Sequence, residues 1–185
     1  MKSYIDYLKS ILDNINEEEV NQCIQAIYNA YEQGKTIFVI GNGGSAANAT
    51  HFAQDLAKGV IPDQKALKRI RALSLTDNVS YITAVANDDG YQNIFSSQLI
   101  TFGKSGDLLI AISGSGNSPN IIEAVRTAKD IGIKSFGITG FDGGKLKQLA
   151  DGTIHIRLND MCTVESIHSV LFHYIIEKLR NELIK

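Results

Sequence analysis

Short apolar runs alternate with stretches of helical periodicity along most of the chain. Runs such as Thr36–Ile40 and Leu108–Ile112 are wholly or almost wholly apolar, which is typical of parallel strands covered on both faces. The first 35 residues predict two helices, the second with an apolar stripe from Val20 to Tyr31. Further strands and helices then alternate. The strands are predicted at 36–40, 71–75, 107–112, 134–139 and 152–157, and the helices at 45–58, 77–87, 118–130, 143–150 and 161–183.

This alternation predicts an α/β fold, a doubly wound five-stranded parallel sheet flanked by helices (flavodoxin-like), with N-terminal helices before it. In such a sheet the ligand lies beyond the carboxyl ends of the strands, where the winding reverses. A 2-1-3-4-5 order would place the first and third strands side by side there. The sequence leaves the order open, but this is the order that lets the turns after both strands contact one ligand.

Two glycine-rich and hydroxyl-rich turns follow those strands. Gly41-Asn42-Gly43-Gly44-Ser45 comes after the first strand, and Ser113-Gly114-Ser115-Gly116-Asn117-Ser118 after the third. A helix begins behind each turn, so its unpaired backbone N–H groups favour an anion. Glycine and serine also punctuate ordinary turns, but two such turns at equivalent places favour a cradle for one phosphate. Neither turn has the pattern of a Walker loop or a dinucleotide fingerprint, so no nucleotide cofactor is predicted.

Composition narrows the classes of partner. The chain has 185 residues without a linker-like segment, which predicts a single domain over 1–185. A formal net charge of −2 with interspersed signs gives no field suited to nucleic acid. No apolar run approaches the roughly 20 residues of a membrane span, and the N-terminus lacks a signal-peptide core. We therefore expect a cytoplasmic protein with no membrane contact, in which Cys23 and Cys162 are free thiols.

Two predicted helices carry residues that could do chemistry. His51 and Asp55 are four residues apart and share a helix face, while Glu165 and His173 lie about 80° apart on the last helix. A histidine on an apolar face, such as His168, is ordinarily a core residue held by a hydrogen bond. The set as a whole suits either a divalent metal such as zinc or direct general acid–base catalysis. Elsewhere Asn87-Asp88-Asp89-Gly90 is typical of a turn, and Asp88 is kept as a candidate substrate-binding acid.

In order along nearly the whole chain, four motifs resemble one known family. They are Gly41-Asn42-Gly43-Gly44-Ser45-Ala46-Ala47-Asn48-Ala49 with His51-Phe52-Ala53, Asn87-Asp88-x-Gly90-Tyr91, Ile112-Ser113-x-Ser115-Gly116-Asn117-Ser118 and Thr139-Gly140-x-Asp142-Gly143-Gly144. This pattern resembles the sugar isomerase (SIS) fold, specifically the sedoheptulose 7-phosphate isomerase group. The resemblance implies a homotetramer with active sites at subunit interfaces, in which residues 1–35 pack the oligomer. It also implies conversion of sedoheptulose 7-phosphate into D-glycero-D-manno-heptose 7-phosphate for heptose biosynthesis.

Residue roles follow from the same resemblance. It makes Ser45, Ser113, Ser115 and Ser118 phosphate-binding, with Asn42, Gly43, Gly44 and Asn117 in the same turns. Asp55 matches the base and His173 the acid, and the metal ligands, for which Zn²⁺ is expected, fall at His51, Asp55, Glu165 and His173. The chain departs from the family at Asp55, where Glu is usual, at Gly59 for Arg, and at Thr163-Val164-Glu165 for Arg-Ile-Gln.

The predicted activity is therefore aldose–ketose isomerisation of a sugar phosphate, with a small molecule as the partner. A base must move a proton between C1 and C2 while an acid or a metal stabilises the oxygen. Two alternatives stay open: a non-catalytic phosphosugar-binding or adaptor protein, which needs only the phosphate turns, and an isomerase for a different sugar phosphate, which the departures favour. Glu165, as a carboxylate in place of glutamine, strengthens the expectation of a metal.

Overall fold

A computed structural model describes residues 1–63 and 65–184. In those residues the helices are α1 Lys2–Leu12, α2 Glu17–Glu32, α3 Gly44–Gln54, α4 Val79–Asp88, α5 Ser96–Phe102, α6 Pro119–Asp130, α7 Gly144–Leu149 and α8 Met161–Leu183. The strands are β1 Thr36–Ile40, β2 Arg71–Ser74, β3 Leu108–Ser113, β4 Lys134–Thr139 and β5 Gly152–His155. None of the described helices is long and apolar enough to cross a membrane.

The described strands form one parallel sheet in the order β2-β1-β3-β4-β5. The predicted fold class is therefore confirmed, and the strand order is the one that serves both turns. In the β1–β3 pairing, Ile40 lies opposite Ala111. The glycine-rich turns after these two strands consequently leave the sheet side by side, at the same edge.

Both faces of the sheet are buried, which explains the continuous apolar runs. Successive residues of a strand point to opposite faces. Ile37 and Val39 of β1 pack in one core cluster with α2, α3 and α8, whereas Phe38 and Ile40 pack in a second cluster with α5 and α6. Since α3 and α8 lie on the same face, residues projecting from one helix can reach those of the other.

The outer strands of the sheet are its shortest. Both β2 and β5 have 4 residues, whereas the three inner strands have 5 or 6. At the β5 edge the backbone N–H of His155 donates to the Glu19 carboxylate of α2 at 2.8 Å. A side chain thus occupies a donor that would otherwise face outward from the sheet.

Two parts of the prediction differ from the structure. The helix expected at 45–58 ends as α-helix at Gln54 and continues as a π-helical turn over Asp55–Gly59, closed by the Val60 N–H on the Asp55 carbonyl at 3.1 Å. No helix was expected between 88 and 106, where a 3₁₀ turn at Tyr91–Asn93 and α5 occur. A single domain over 1–185 remains a prediction, and Gln64 and Lys185 lie outside the described residues.

Candidate active site

A cavity of about 230 Å³ opens where β1 and β3 end. Its lining comes from both glycine-rich turns and from the start of α8: Asn42, Gly43, Gly44, Ser45, Ile112, Ser113, Gly114, Ser115, Ser118, Met161 and Glu165. Within the described part of the chain, neither Gly43 before α3 nor Ser118 before α6 caps its helix with a side chain. The Gly44 and Ser45 N–H groups at the start of α3, and the Ser118 hydroxyl, are therefore available to an anion. Helix α6 offers fewer N–H groups, because Pro119 has none and the Ile121 N–H already donates to Asn120 Oδ1.

The conformation of the first turn depends on glycine. Gly43, just before α3, has φ +55° and ψ −123°. Residues with a side chain rarely adopt such values, so glycine at this position allows the backbone to turn sharply into the start of α3. The hydroxyl of Ser45 follows in the first turn of α3 and is buried.

A third turn supports the second glycine-rich turn from behind. The Gly140 N–H donates to the Gly114 carbonyl at 2.8 Å, and a Cβ on Gly116 would overlap the carbonyl of Gly143. The Asn117 side chain donates to the Ser115 carbonyl at 3.0 Å and accepts the Lys145 N–H at 3.1 Å. Asn117 thus bonds the turn to α7, and it is not among the residues that line the cavity.

Glu165 enters the cavity from α8. A Cβ at position 44 would overlap the Glu165 carboxylate, so the glycine there makes room for this side chain. The Glu165 backbone carbonyl accepts the Asn48 side-chain N–H at 3.2 Å, which ties α8 to α3. The carboxylate therefore lies beside the N-terminus of α3, the end of the helix dipole that favours a negative charge.

A separate cluster, outside the cradle cavity, joins the end of α3 and the π-helical turn after it to α8. His51 Nε2 lies 3.3 Å from Asp55 Oδ2, and His173 Nε2 lies 3.7 Å from the same oxygen. The two imidazole rings meet edge to face with centroids 5.0 Å apart. The His51 and His173 side chains are 52% and 56% exposed, so an incoming molecule can reach them.

The geometry of this cluster suits a divalent metal. One ligand atom each from His51, Asp55 and His173 lies within 4.8 Å of the other two. A tetrahedral zinc ion with bonds of about 2.0–2.2 Å holds its ligand atoms roughly 3.3–3.6 Å apart, close to the separations seen here. Two imidazoles and one carboxylate leave a fourth position for substrate. Glu165 lies at the cradle cavity and is not part of this group.

The remaining residues considered in the sequence analysis lie outside both the cavity and the cluster of His51, Asp55 and His173. Asp88 ends α4, is exposed, and accepts the Asn87 side-chain N–H at 2.7 Å. His168 is fully buried, with Nε2 3.3 Å from the Thr139 carbonyl, and burial lowers its pKa to about 4. His168 therefore belongs to the core, as the ordinary explanation of a histidine on an apolar face predicts. Sequence reasoning gave no site role to Asn120 or Tyr91, both of which bond the Asn42 side chain.

A parallel 2-1-3-4-5 sheet with serine-lined turns at the ends of β1 and β3 defines a SIS-type phosphosugar domain. The family model of the SIS domain matches residues 3–140 of the chain. The phosphoheptose isomerase of Clostridium acetobutylicum is 39% identical over 184 residues, covering 99% of this chain and 92% of that protein. The phosphoheptose isomerase of Aliarcobacter butzleri is 36% identical over 185 residues, covering 99% and 96%.

A solved structure agrees with these relatives. The phosphoheptose isomerase GmhA from Neisseria gonorrhoeae superposes with a TM-score of 0.88 at 30% identity, over 97% of this chain and 94% of that one. The chain belongs to the SIS domain family, among the phosphoheptose isomerases. The resemblance stated from the sequence motifs is thereby confirmed.

Proposed function

We propose that this protein is an aldose–ketose isomerase that converts sedoheptulose 7-phosphate into D-glycero-D-manno-heptose 7-phosphate, a step in heptose biosynthesis. One observation carries the proposal: α3 begins at the phosphate cradle, bears His51 two turns further on, and leads directly into Asp55 of the π-helical turn. At 1.5 Å per residue, the seven residues from Gly44 to His51 span about 10 Å along the helix. A sugar anchored by its phosphate at the start of α3 can extend toward the cluster with its carbonyl end.

Each group then has one task. The two turns bind the phosphate through backbone N–H groups and the hydroxyls of Ser45, Ser113, Ser115 and Ser118. Asp55 acts as the base that moves a proton between C1 and C2. His173, on the other side of the same carboxylate, donates a proton to the substrate oxygen and takes it back. Holding the phosphate keeps the reacting carbons in register with these two groups.

As the alternative to direct acid–base catalysis by these side chains, we infer a zinc ion held by His51, Asp55 and His173, with the fourth position open to substrate. Glu165, which the resemblance also predicts as a ligand, lies at the cradle cavity. When bound, a divalent ion polarises the substrate carbonyl and stabilises negative charge that develops on its oxygen. Calorimetric titration of the chelator-treated protein with zinc tests this inference. We expect one ion per chain and at least a tenfold loss of affinity in His51→Ala. Equal affinity in the two proteins would remove the metal from the proposal.

The isomerase itself is tested by proton NMR of sedoheptulose 7-phosphate in deuterated buffer. Enolisation exchanges one of the two C1 protons for deuterium even when little aldose accumulates, so we expect loss of one C1 proton signal and a new aldose signal. Asp55→Asn and His173→Gln should abolish exchange while retaining affinity for inorganic phosphate. Asp130→Asn and His155→Gln are matched controls outside the site and should exchange like the parent protein.

The two alternatives give other results in the same experiment. If the parent protein binds phosphate without any exchange, and added zinc changes nothing, the chain is a phosphosugar-binding or adaptor protein. Exchange with other ketose phosphates but not with the heptose would make it an isomerase for a different sugar. Glu165, where the family usually has glutamine, is one of the departures that keep this second alternative open.

We also propose a homo-oligomer, a tetramer by family resemblance, located in the cytoplasm. Within the described residues of α1, none is buried, and Tyr4, Ile5 and Tyr7 expose apolar surface. That surface supports a role for the N-terminal helices in packing against another copy. Cys23 and Cys162 are both free, one buried and one exposed, which supports a reducing compartment.

A further inference from the structure

The side chains of Asn42 and Asn120 form a reciprocal pair of hydrogen bonds. Asn42 Nδ2 donates to Asn120 Oδ1 at 2.8 Å, and Asn120 Nδ2 donates to Asn42 Oδ1 at 2.8 Å. Each side-chain amide therefore donates one N–H to the other amide and accepts one N–H from it. Only a side-chain amide offers both functions in one plane, so neither a carboxylate nor a hydroxyl can reproduce this pairing.

The pair joins the two halves of the cradle. Asn42 lies in the turn after β1 and lines the cavity, whereas Asn120 lies in the first turn of α6, two residues after Ser118. Asn120 is 1% exposed and is not among the residues that line the cavity. Asn120 can therefore influence a ligand in two ways, through Asn42 and through the start of α6, where it lies.

The sheet alone does not determine the spacing between these turns. Hydrogen bonds of the β1–β3 ladder hold the strands up to Ile40 and Ala111, and the two chains leave the ladder beyond that point. A phosphate contacted from both turns requires a defined separation, because charge-assisted N–H and O–H bonds weaken steeply with length and angle. Beyond the ladder, the Asn42–Asn120 pair bonds the turn after β1 directly to the helix that follows the turn after β3.

A third connection reaches the same amide. The Tyr91 hydroxyl, from the 3₁₀ turn after α4, donates to Asn42 Oδ1 at 3.1 Å. Asn120 Oδ1 also accepts the backbone N–H of Ile121 at 3.0 Å, which anchors its side chain to α6. Asn42 is thus held from α6 on one side and from the β2–β3 connection on the other.

We propose that Asn120 is a positioning residue, which sets the separation of the two phosphate-binding turns through its paired amide with Asn42. The proposal rests on the proposed function for the identity of the sugar, but its effect falls on the phosphate. Because the phosphate is remote from the reacting carbons and is held throughout the reaction, loss of the pair should weaken substrate binding more than it slows turnover.

The test compares Asn120→Ala with the parent protein by steady-state kinetics and by calorimetric titration with inorganic phosphate. We expect KM and the phosphate Kd each to rise about tenfold, with kcat changed by less than about twofold. Asn120→Leu fills a volume similar to that of asparagine but lacks both bonds to Asn42, so its KM and phosphate Kd should change as those of Asn120→Ala do. It replaces Asn120→Ala in the test if the smaller side chain prevents folding. A decrease in kcat/KM that comes wholly from a lower kcat, with KM and the phosphate Kd unchanged, would overturn the proposal.

Gln98→Ala is the matched control for a purely structural role. Gln98 is also 1% exposed and donates two hydrogen bonds, to the carbonyls of Leu75 at 2.9 Å and Ile94 at 2.8 Å. Gln98→Ala should lower the melting temperature about as much as Asn120→Ala does, while KM and phosphate affinity stay at the parent values. If Asn120→Ala shifts phosphate affinity no more than Gln98→Ala does, Asn120 has only a structural role.

A double-mutant cycle with Asn42→Ala shows whether the two residues act through each other. If they do, Asn42→Ala/Asn120→Ala should bind phosphate about as weakly as Asn42→Ala alone, and additive losses contradict the pairing. Phosphate titration also separates this proposal from the proposed function. If the parent protein binds phosphate but does not isomerise the heptose, the proposed activity is refuted and the role of Asn120 can still be tested. If it binds no phosphate, both proposals are refuted.

Discussion

A single carboxylate distinguishes this cradle from a simple anion site. Glu165 lies against Gly44 at the start of α3, where the helix dipole and the free N–H groups stabilise a negative charge. A bound phosphate uses the same N–H groups, and the two anions repel each other across a partly desolvated cavity. Glu165 therefore weakens phosphate binding unless a cation bridges the two groups.

We predict that Glu165→Gln tightens binding of inorganic phosphate in the presence of a chelator. The substitution keeps the size of the side chain and removes its charge, and a gain of about tenfold in affinity is expected for one such repulsion in a half-exposed site. Glu177→Gln removes the same charge from an exposed position of the same helix. Calorimetric titration should show no change for that control; equal gains in both variants would mean that net charge alone is responsible.

The buried His168 makes the stability of the protein depend on pH. Burial lowers its pKa to about 4 from the ordinary 6.5, and within the described residues its Nδ1 has no hydrogen-bond partner. Between these values the unfolded chain binds the proton and the folded protein does not. The free energy of unfolding should therefore fall as the pH falls from 6.5 to 4, and this contribution should be constant above 6.5.

We predict a loss on the order of 3 kcal/mol across that interval, at 1.36 kcal/mol for each pH unit between the two pKa values. Urea denaturation of the parent protein and of His168→Phe at several pH values measures it. The variant keeps an aromatic ring but cannot bind a proton, so its stability should depend less on pH. Parallel pH profiles for the two proteins would assign the acid sensitivity to other groups.

At the scale of elements, α3 and α8 form the framework of the site. α3 connects the cradle at its start to His51 near its end, and α8 contributes Glu165 to the cradle and His173 to the cluster. Asp55 begins the π-helical turn that follows α3. Such turns are frequent at functional sites, since the extra residue shifts the side chains that follow.

The cap of α2 allows a separate test of element stability. Asn16 Oδ1 accepts the N–H groups of Glu18 at 3.0 Å and Glu19 at 3.4 Å. Asn16→Ala should lower the free energy of unfolding by about 1 kcal/mol and the melting temperature by roughly 2–4 °C. Asn21→Ala, at an exposed position inside the same helix, should not lower the melting temperature, because alanine favours helix. Calorimetry of both variants gives the comparison.

Local patterns made most of these elements predictable. The strands follow from apolar runs, and the cradle from glycine and serine placed between a strand and a helix. Helix α5 was missed because its 7 residues follow the turn-like Asn87–Gly90, although Ile94, Phe95 and Leu99 have helical spacing and are buried. A short apolar helix of this kind becomes evident only from the core that it covers.

The sequence alone could not show that α8 contributes Glu165 to the cradle and His173 to a separate cluster. The angle of about 80° between Glu165 and His173 suggested one shared site, but eight residues also separate them by about 12 Å along the axis. Only the packing of α8 on α3 brings His173 to Asp55 and Glu165 to Gly44. Glu165 as a metal ligand stays a prediction.

For the whole molecule, α1 indicates where another copy would bind. Leu8, Ile11 and Leu12 of α1 pack against the core, while Tyr4, Ile5 and Tyr7 face outward. We predict that Ile5→Glu shifts the protein to a smaller species in sedimentation velocity, because it places a charge on an apolar contact. Ser3→Glu adds the same charge at a neighbouring exposed position and should leave the assembly intact. An unchanged species for Ile5→Glu would exclude α1 from the interface.

The short outer strands restrict how such an assembly can form. A sheet joins another sheet by continuing its hydrogen-bond ladder, and β2 and β5 offer only 4 residues each for this purpose. At β5 the Glu19 carboxylate already occupies the N–H of His155. Growth by strand addition is thus disfavoured at these edges, so an assembly of copies of this chain would form through its helices, with a fixed size favoured over an open-ended fibre.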